Sequence, residues 1–167
     1  MFASDSKLRP QLALCLLLMR LGITSVFLMW TIDKFVNPEH AAAVFKKFYM
    51  VPSLSSSLAC AVGAIQLVFV IAFALGAMRN ITYPIILLLH SVSTFSSFKQ
   101  YADPWTYPHL LFFAAIPMLA ACYTLWVLRR YDDYSVDGLR TRGAELRSRG
   151  SETGSSMATG LGGQDAR

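Results

Sequence analysis

Four apolar segments separated by short polar stretches dominate the chain up to residue 128. They cover residues 11–32, 54–78, 81–98 and 107–128. Each is about 18–25 residues long, enough to cross about 30 Å of hydrocarbon at about 1.5 Å per residue. The pattern therefore predicts four transmembrane helices. Pro117, inside the last segment, predicts a kink there.

The polar stretches between and after these segments predict two further elements. Asn37-Pro38-Glu39 is a typical helix start, and the residues through Met50 place apolar and basic side chains on different faces. A short helix at the membrane surface is therefore expected after the first span. Residues 139–167, rich in Gly, Ser and Arg, are expected to form a disordered cytoplasmic tail. The predicted fold class is all-α, a polytopic four-helix membrane bundle in one domain of residues 1–138, followed by the tail.

Composition also favours a membrane protein. Hydrophobic residues make up 54% of the chain and charged residues only 15%, against about 25% in soluble proteins. The net charge of +5 comes from basic residues beside the apolar segments and not from one patch, so nucleic acid is not an expected partner. The expected partners are the lipid bilayer and other membrane subunits.

The distribution of basic residues predicts the orientation. Four spans place both termini on one side of the membrane, together with the arginines at 79, 129 and 130 and those of the proximal tail. The opposite side carries Lys34, Lys46, Lys47 and Lys99. Because cytoplasmic loops are enriched in Lys and Arg, both termini are expected in the cytoplasm.

Three of the apolar segments contain a strongly polar residue near their middle, namely Arg20, Gln66 and His90. A charged group at the bilayer centre costs about 2.5–3.5 kcal/mol, so such residues are expected to face protein and a polar partner. Counted from the predicted inner ends of the spans, all three lie about 13–17 Å above the inner boundary. The sequence predicts that a guanidinium, a carboxamide and an imidazole meet in one layer of the bundle core.

Three interpretations of this layer are open. It could be a hydrogen-bonded triad that fixes helix register, a site for a polar head such as a quinone carbonyl with His90 as proton partner, or part of a permeation path. Arg20 could also extend to the inner interface without meeting the other two. Hydroxyl side chains of the third segment that would support a ligand or a path are Ser93, Thr94 and Ser97.

Thiol, haem and metal chemistry have no support in the sequence. Cys15, Cys60 and Cys122 lie in three different spans and form no CxxC pair, so they are expected to be packing residues. No spacing typical of metal ligands occurs, and no metal site is predicted.

Short motifs resemble those of the DoxX-like family of small membrane proteins. In the first span and the following loop they are Arg20-Leu21-Gly22, Phe27, Trp30, Asp33-Lys34 and Asn37-Pro38. Gly63 and Gln66, with Gly76, resemble the second-span pattern, in which a glutamate is more usual at the position of the glutamine. Tyr134-Ser135-Val136-Asp137 resembles the Tyr-Ser-Leu-Asp signature after the last span. The resemblance covers residues 14–139.

The resemblance implies a four-helix bundle in a bacterial cytoplasmic membrane. Some members of the family are subunits of quinone-linked oxidoreductases, such as thiosulfate:quinone oxidoreductase. The chain is therefore expected to be a subunit or partner of a membrane redox complex, with quinone as the candidate cofactor of the Arg20–Gln66–His90 layer. The alternatives are a purely structural accessory subunit of a larger membrane assembly and, third, a small-solute or proton pathway along the third span.

Overall fold

The computed structural model describes residues 5–49 and 55–161, and this part of the chain is helical without any strand. The α-helices are α1 (Asp5–Val36), α2 (Pro38–Tyr49), α3 (Ser56–Leu75), α4 (Arg79–Ser96), α5 (Phe98–Ala102), α6 (Ala115–Leu128) and α7 (Val136–Leu161). Two 3-10 helices, His109–Ala114 and Arg129–Tyr131, flank α6. The prediction of an all-α fold is confirmed for the described residues.

Four of these helices share one core. Helix α1 packs against α3, α3 against α4, α4 against α6, and α6 against α1. Apolar side chains from all four helices interlock between them, namely Leu16, Ile23, Phe27, Val70, Phe73, Tyr83, Ile86, Cys122 and Leu125. Burial of this set removes apolar surface from the surroundings and fixes the neighbours of each helix.

Three helical stretches of the described chain are long and apolar enough to cross a membrane: Leu8–Val36, Ser57–Leu75 and His109–Arg149. They correspond to the first, second and fourth predicted spans. Helix α4, predicted as the third span, is not among them. Its polar residues, from Arg79 at its start to the hydroxyl side chains near its end, lower its mean hydropathy.

A short helix follows α1, as the sequence predicts. The Asp33 carboxylate organises the corner, because it accepts hydrogen bonds from Asn37 Nδ2 at 3.2 Å and from His40 Nδ1 at 2.7 Å. Helix α2 then buries Ala41 and packs against α1 and α3. The predicted turn into the second span, at residues 50–54, lies outside the described residues.

The tail and the proline in the last span differ from the predictions. Residues 136–161 are helical, where a disordered tail was expected from 139 onward. Side chains 139–149 are all exposed and α7 is rich in glycine and serine, so neither burial nor intrinsic propensity explains this helix. Pro117 lies in the first turn of α6, where proline is tolerated, and the interruption is a change from 3-10 to α geometry at residue 115.

The turn between α3 and α4 requires a glycine. Gly76 has φ +63° and ψ +33°, the left-handed conformation that ends many helices. A Cβ at this position would lie 2.7 Å from Arg20 Nη1 and would overlap the Cβ of Ser135. Conformation and space therefore both exclude a side chain.

We expect Gly76→Ala to lower the free energy of unfolding by about 2–4 kcal/mol, because left-handed strain and overpacking add. Denaturant titration in detergent micelles would measure the loss. The matched control is Gly22→Ala, where a Cβ meets no atom within 4 Å, and we expect that change to be neutral or slightly stabilising. Equal losses in the two variants would contradict the explanation.

Candidate functional site

A buried cluster of polar and charged groups surrounds Arg20, which is only 2% exposed. Helical side chains lean toward the N-terminus of their helix, so the guanidinium of Arg20 extends away from the middle of α1 toward its beginning. Three other ends of helices lie near this guanidinium. Helix α3 ends at Leu75, α4 begins at Arg79, and the second 3-10 helix ends at Tyr131.

Arg20 is held by three groups from these ends. Its Nη1 donates to the Tyr83 hydroxyl at 3.2 Å and to Asp132 Oδ2, and its Nη2 donates to the Tyr134 carbonyl at 2.7 Å. The Tyr83 hydroxyl also donates to Asp132 Oδ2. We call Arg20, Tyr83, Asp132 and the Tyr134 carbonyl the arginine cluster.

The arginine cluster is sealed from its surroundings. Tyr83 is 1% exposed and Asp132 is 0% exposed, and one carboxylate matches one guanidinium. Arg20 Nε and Asp132 Oδ1 are buried without a hydrogen-bond partner among the described residues. An ion pair of this kind is expensive to break from one side, since removing one partner leaves an uncompensated buried charge.

The segment that carries Asp132 is itself fixed by backbone contacts. Ser135 Oγ donates to the Asp132 carbonyl at 2.5 Å, and Arg79 Nη1 donates to the same carbonyl at 3.0 Å. Asp137 Oδ2 accepts from the backbone N–H of Arg79 at 2.8 Å. These bonds join the segment after α6 to the turn between α3 and α4, so the position of the Asp132 carboxylate is fixed from both sides.

A second buried carboxylate, that of Asp133, forms ion pairs with two arginines at the protein surface. Its Oδ2 lies 3.2 Å from Arg9 Nε and 2.8 Å from Arg142 Nη2. Because Arg9 belongs to α1 and Arg142 to α7, this carboxylate connects the start of the first helix with the last one. Both arginine side chains are more than half exposed, so solvent screens these pairs and each contributes little.

The structure does not bring Arg20 together with Gln66 and His90, and the predicted common layer is wrong. Phe27 lies seven residues beyond Arg20 on α1, and its ring contacts the His90 ring edge-on at a centroid distance of 6.1 Å. His90 likewise lies seven residues beyond Tyr83 on α4. Seven residues correspond to about 10 Å of rise, so the imidazole lies about two turns from the arginine cluster.

Gln66 lies farther still from the arginine cluster. It is half-buried on α3, ten residues before Gly76, which corresponds to about 15 Å along the helix. Its side chain makes no hydrogen bond within the described part of the chain. The ligand-binding role assigned to Arg20, Gln66 and His90 stays a prediction, and only the meeting of the three groups is excluded.

His90 has a different environment, in the other half of the core. It is 8% exposed, and its Nε2 lies 3.0 Å from the carbonyl of Ala115 at the start of α6. Because a carbonyl only accepts, Nε2 must carry a proton and donate it. Thr94, one turn away on α4, is buried with its hydroxyl unpaired among the described residues.

The other two supporting hydroxyls differ from that of Thr94, since one is already bonded and the other is exposed. Ser97 Oγ donates to the Ser93 carbonyl at 3.1 Å, an intrahelical bond four residues back. Ser93 is exposed. In residues 5–49 and 55–161, no group of three or more His, Cys, Asp or Glu side chains is placed to hold a metal ion.

Tyr83 and Asp132, the residues that hold Arg20, are not among the site residues predicted from the sequence. A usable signal was present, since a buried guanidinium requires a counter-charge and Asp132 follows the last span directly. The predicted depth is that of the Arg20 Cα, whereas the side chain places the guanidinium closer to the start of α1, beside Asp132.

Comparisons with protein-family models, with curated proteins and with solved structures found no significant match.

We expect Arg20→Met and Asp132→Leu each to lower the free energy of unfolding by about 3–5 kcal/mol, because each leaves a buried charge unpaired. The double variant should lose much less than the sum. Denaturant titration of all four proteins in micelles forms a double-mutant cycle. The control is Arg147→Met on the exposed part of α7, for which we expect no measurable loss. Additive losses in the double variant would contradict the pairing.

Proposed function

We propose that this chain is a DoxX-like integral membrane protein whose helices α1, α3, α4 and α6 form a four-helix bundle across a bacterial cytoplasmic membrane. We propose further that it is an accessory subunit of a larger membrane assembly, with both termini in the cytoplasm. The observation that carries the proposal is the buried arginine cluster, because the charged residue near the middle of the first predicted span pairs inside the protein.

The residues on which the DoxX resemblance rests lie together at one end of the core. Arg20 donates to the carbonyl of Tyr134, and Gly76 leaves room for Arg20 Nη1 and for Ser135. Asp137 caps the N-terminal N–H of α4 at Arg79. Motifs that are far apart in the sequence thus act on one contact, which supports a common structural purpose for them.

A second group of motif residues lies at the other end of α1. A Cβ on Gly63 of α3 would lie 3.1 Å from the Cβ of Lys34 and 3.1 Å from the ring of Phe35, so this glycine permits α3 to approach α1 closely. Small residues at such crossings are typical of packed membrane helices. The close approach at these positions therefore supports an architectural function.

The outward surfaces of the four helices are apolar. Exposed side chains include Met29 on α1 (66%), Val68 on α3 (67%), Leu88 on α4 (62%) and Ile116 on α6 (50%). A soluble protein rarely exposes apolar surface on this scale, whereas lipid and other membrane subunits cover it. On α4 the polar His90 and Thr94 are buried, which supports a spanning role for a helix of modest hydropathy.

A tryptophan scan of the outward surfaces would test the accessory role. We expect one of Met29→Trp, Val68→Trp, Leu88→Trp and Ile116→Trp to reduce recovery of partner subunits from native membranes by about tenfold or more, because overpacking an interface costs about 1–3 kcal/mol. The measurement is the molar ratio of co-purified subunits in mild detergent.

The three remaining variants serve as matched controls, since they change lipid-facing positions of the same kind. All four proteins should keep the unfolding midpoint of the parent. A chain that purifies alone, or partner ratios unchanged in all four variants, would contradict the accessory role.

Quinone contact is a second candidate function, and the surroundings of His90 favour it over Arg20 as the contact point. His90 Nε2 is occupied by the Ala115 carbonyl, which leaves Nδ1 to accept a hydrogen bond from a quinol hydroxyl. The unpaired Thr94 hydroxyl could donate to a quinone carbonyl. Such a site would fit a subunit of a quinone-linked membrane complex.

We expect the purified protein to retain quinone, and His90→Phe or Thr94→Val to weaken retention about 3–10-fold, the effect of one lost hydrogen bond. Extraction and quantification of bound quinone would measure it. The control is His109→Phe, a half-buried histidine at the start of the 3-10 helix before α6. Protein that carries no quinone, or equal loss in the control, would rule out this function and leave the accessory role intact.

A further inference from the structure

An arginine-lined cleft opens at the same end of the core as the arginine cluster, on the outer side of the turn between α3 and α4. Its volume is about 590 Å³. The side chains that line it include Arg79, Arg129, Arg130, Arg140, Asp137 and Val127. They come from the start of α4, the end of α6 with the 3-10 helix that follows it, and the first turns of α7, so the cleft is formed only when these elements are in place.

The cleft has an excess of positive charge. Its one carboxylate, that of Asp137, lies 3.8 Å from Arg79 Nε and also accepts the Arg79 backbone N–H. Among the described residues, Arg129, Arg130 and Arg140 have no carboxylate within salt-bridge distance. Arginine stays charged at every physiological pH, so about three positive charges line this space without a carboxylate among the described residues to neutralise them.

The neighbours of these arginines orient them without neutralising them. Arg129 Nε donates to Asn80 Oδ1 at 2.9 Å and its Nη1 donates to the Trp126 carbonyl at 2.7 Å. The Arg130 guanidinium lies over the Tyr131 ring, 4.9 Å from its centroid. Neutral acceptors and a ring face hold a guanidinium in place while part of its N–H fork stays available to an anion.

The cleft lies where the apolar surface of α6 ends. Val127, 45% exposed, belongs to the last turn of α6, and Arg129 and Arg130 follow directly. A ligand with an apolar part and an anionic part would meet both kinds of surface here. This arrangement is typical of basic pockets that hold lipid headgroups.

We propose that this cleft binds a phosphate anion carried by an anionic phospholipid headgroup, with Arg129, Arg130 and Arg140 as its ligands. Guanidinium groups match the oxygen geometry of phosphate and pair with it through two parallel hydrogen bonds. The volume is sufficient for a glycerophosphate headgroup. The site does not depend on the accessory role proposed above.

The test compares two double variants that remove the same charge. Arg130→Gln/Arg140→Gln acts on the cleft, and Lys46→Gln/Lys47→Gln acts on α2, at the opposite end of α1. Full-length proteins in nanodiscs of phosphatidylcholine with a minor fraction of phosphatidylglycerol are released and their bound lipids quantified by native mass spectrometry. We expect the ratio of bound phosphatidylglycerol to bound phosphatidylcholine to fall about tenfold in the cleft variant and to stay unchanged in the α2 variant.

A second measurement separates the two sources of phosphate. Inorganic phosphate at millimolar concentration should not displace bound phosphatidylglycerol from the parent protein. If phosphate displaces the lipid and stays bound itself, the site belongs to the free anion and the lipid proposal is wrong. Arg140→Gln alone, on the exposed surface of α7, keeps the test valid if the double variant does not fold. Equal preference in parent and cleft variant, or an equal loss in both double variants, would overturn the proposal.

Discussion

The ion pair between the Arg20 guanidinium and the Asp132 carboxylate is the interaction on which the other contacts at this end of the core depend. A buried guanidinium on an apolar helix needs a counter-charge, and the one it has lies 112 residues away, between α6 and α7. The contact between Arg20 and Asp132 brings together the middle of α1, the start of α4 and the segment after α6. The glycine at 76 follows from this, because the space beside it is filled by Arg20 and Ser135.

The value of this ion pair lies in specificity more than in net stability. Burying both charges is costly, and one nitrogen and one oxygen of the pair have no partner among the described residues. In lipid, however, apolar helix surfaces do not distinguish one neighbour from another, because acyl chains are equally apolar. A charge pair that can form in only one arrangement selects the helix register that apolar packing alone leaves undefined.

The length of the apolar segments predicted the helices well, since local composition determines where a membrane-type helix begins and ends. The predicted segment 11–32 lies within Asp5–Val36, and the Asn37-Pro38 break separates α1 from α2 as expected. The partner of Arg20 could not be found by counting depth, because a long side chain moves its charge toward the N-terminus of its helix. The helix at 136–161 escaped composition-based prediction because its many glycine and serine residues are unfavourable in a helix and its side chains at 139–149 are exposed.

The same distribution of acids that closes the core leaves the neighbouring surface positive. Asp132 is used by Arg20, Asp133 by Arg9 and Arg142, and Asp137 by Arg79. Each of these carboxylates stabilises a contact between elements, and none is left for the arginines at 129, 130 and 140. The unmatched charge therefore arises from the architecture of the core, and it lies where the apolar surface of α6 ends. A fold that assigns its acids to internal contacts in this way leaves its neighbouring surface basic at that end.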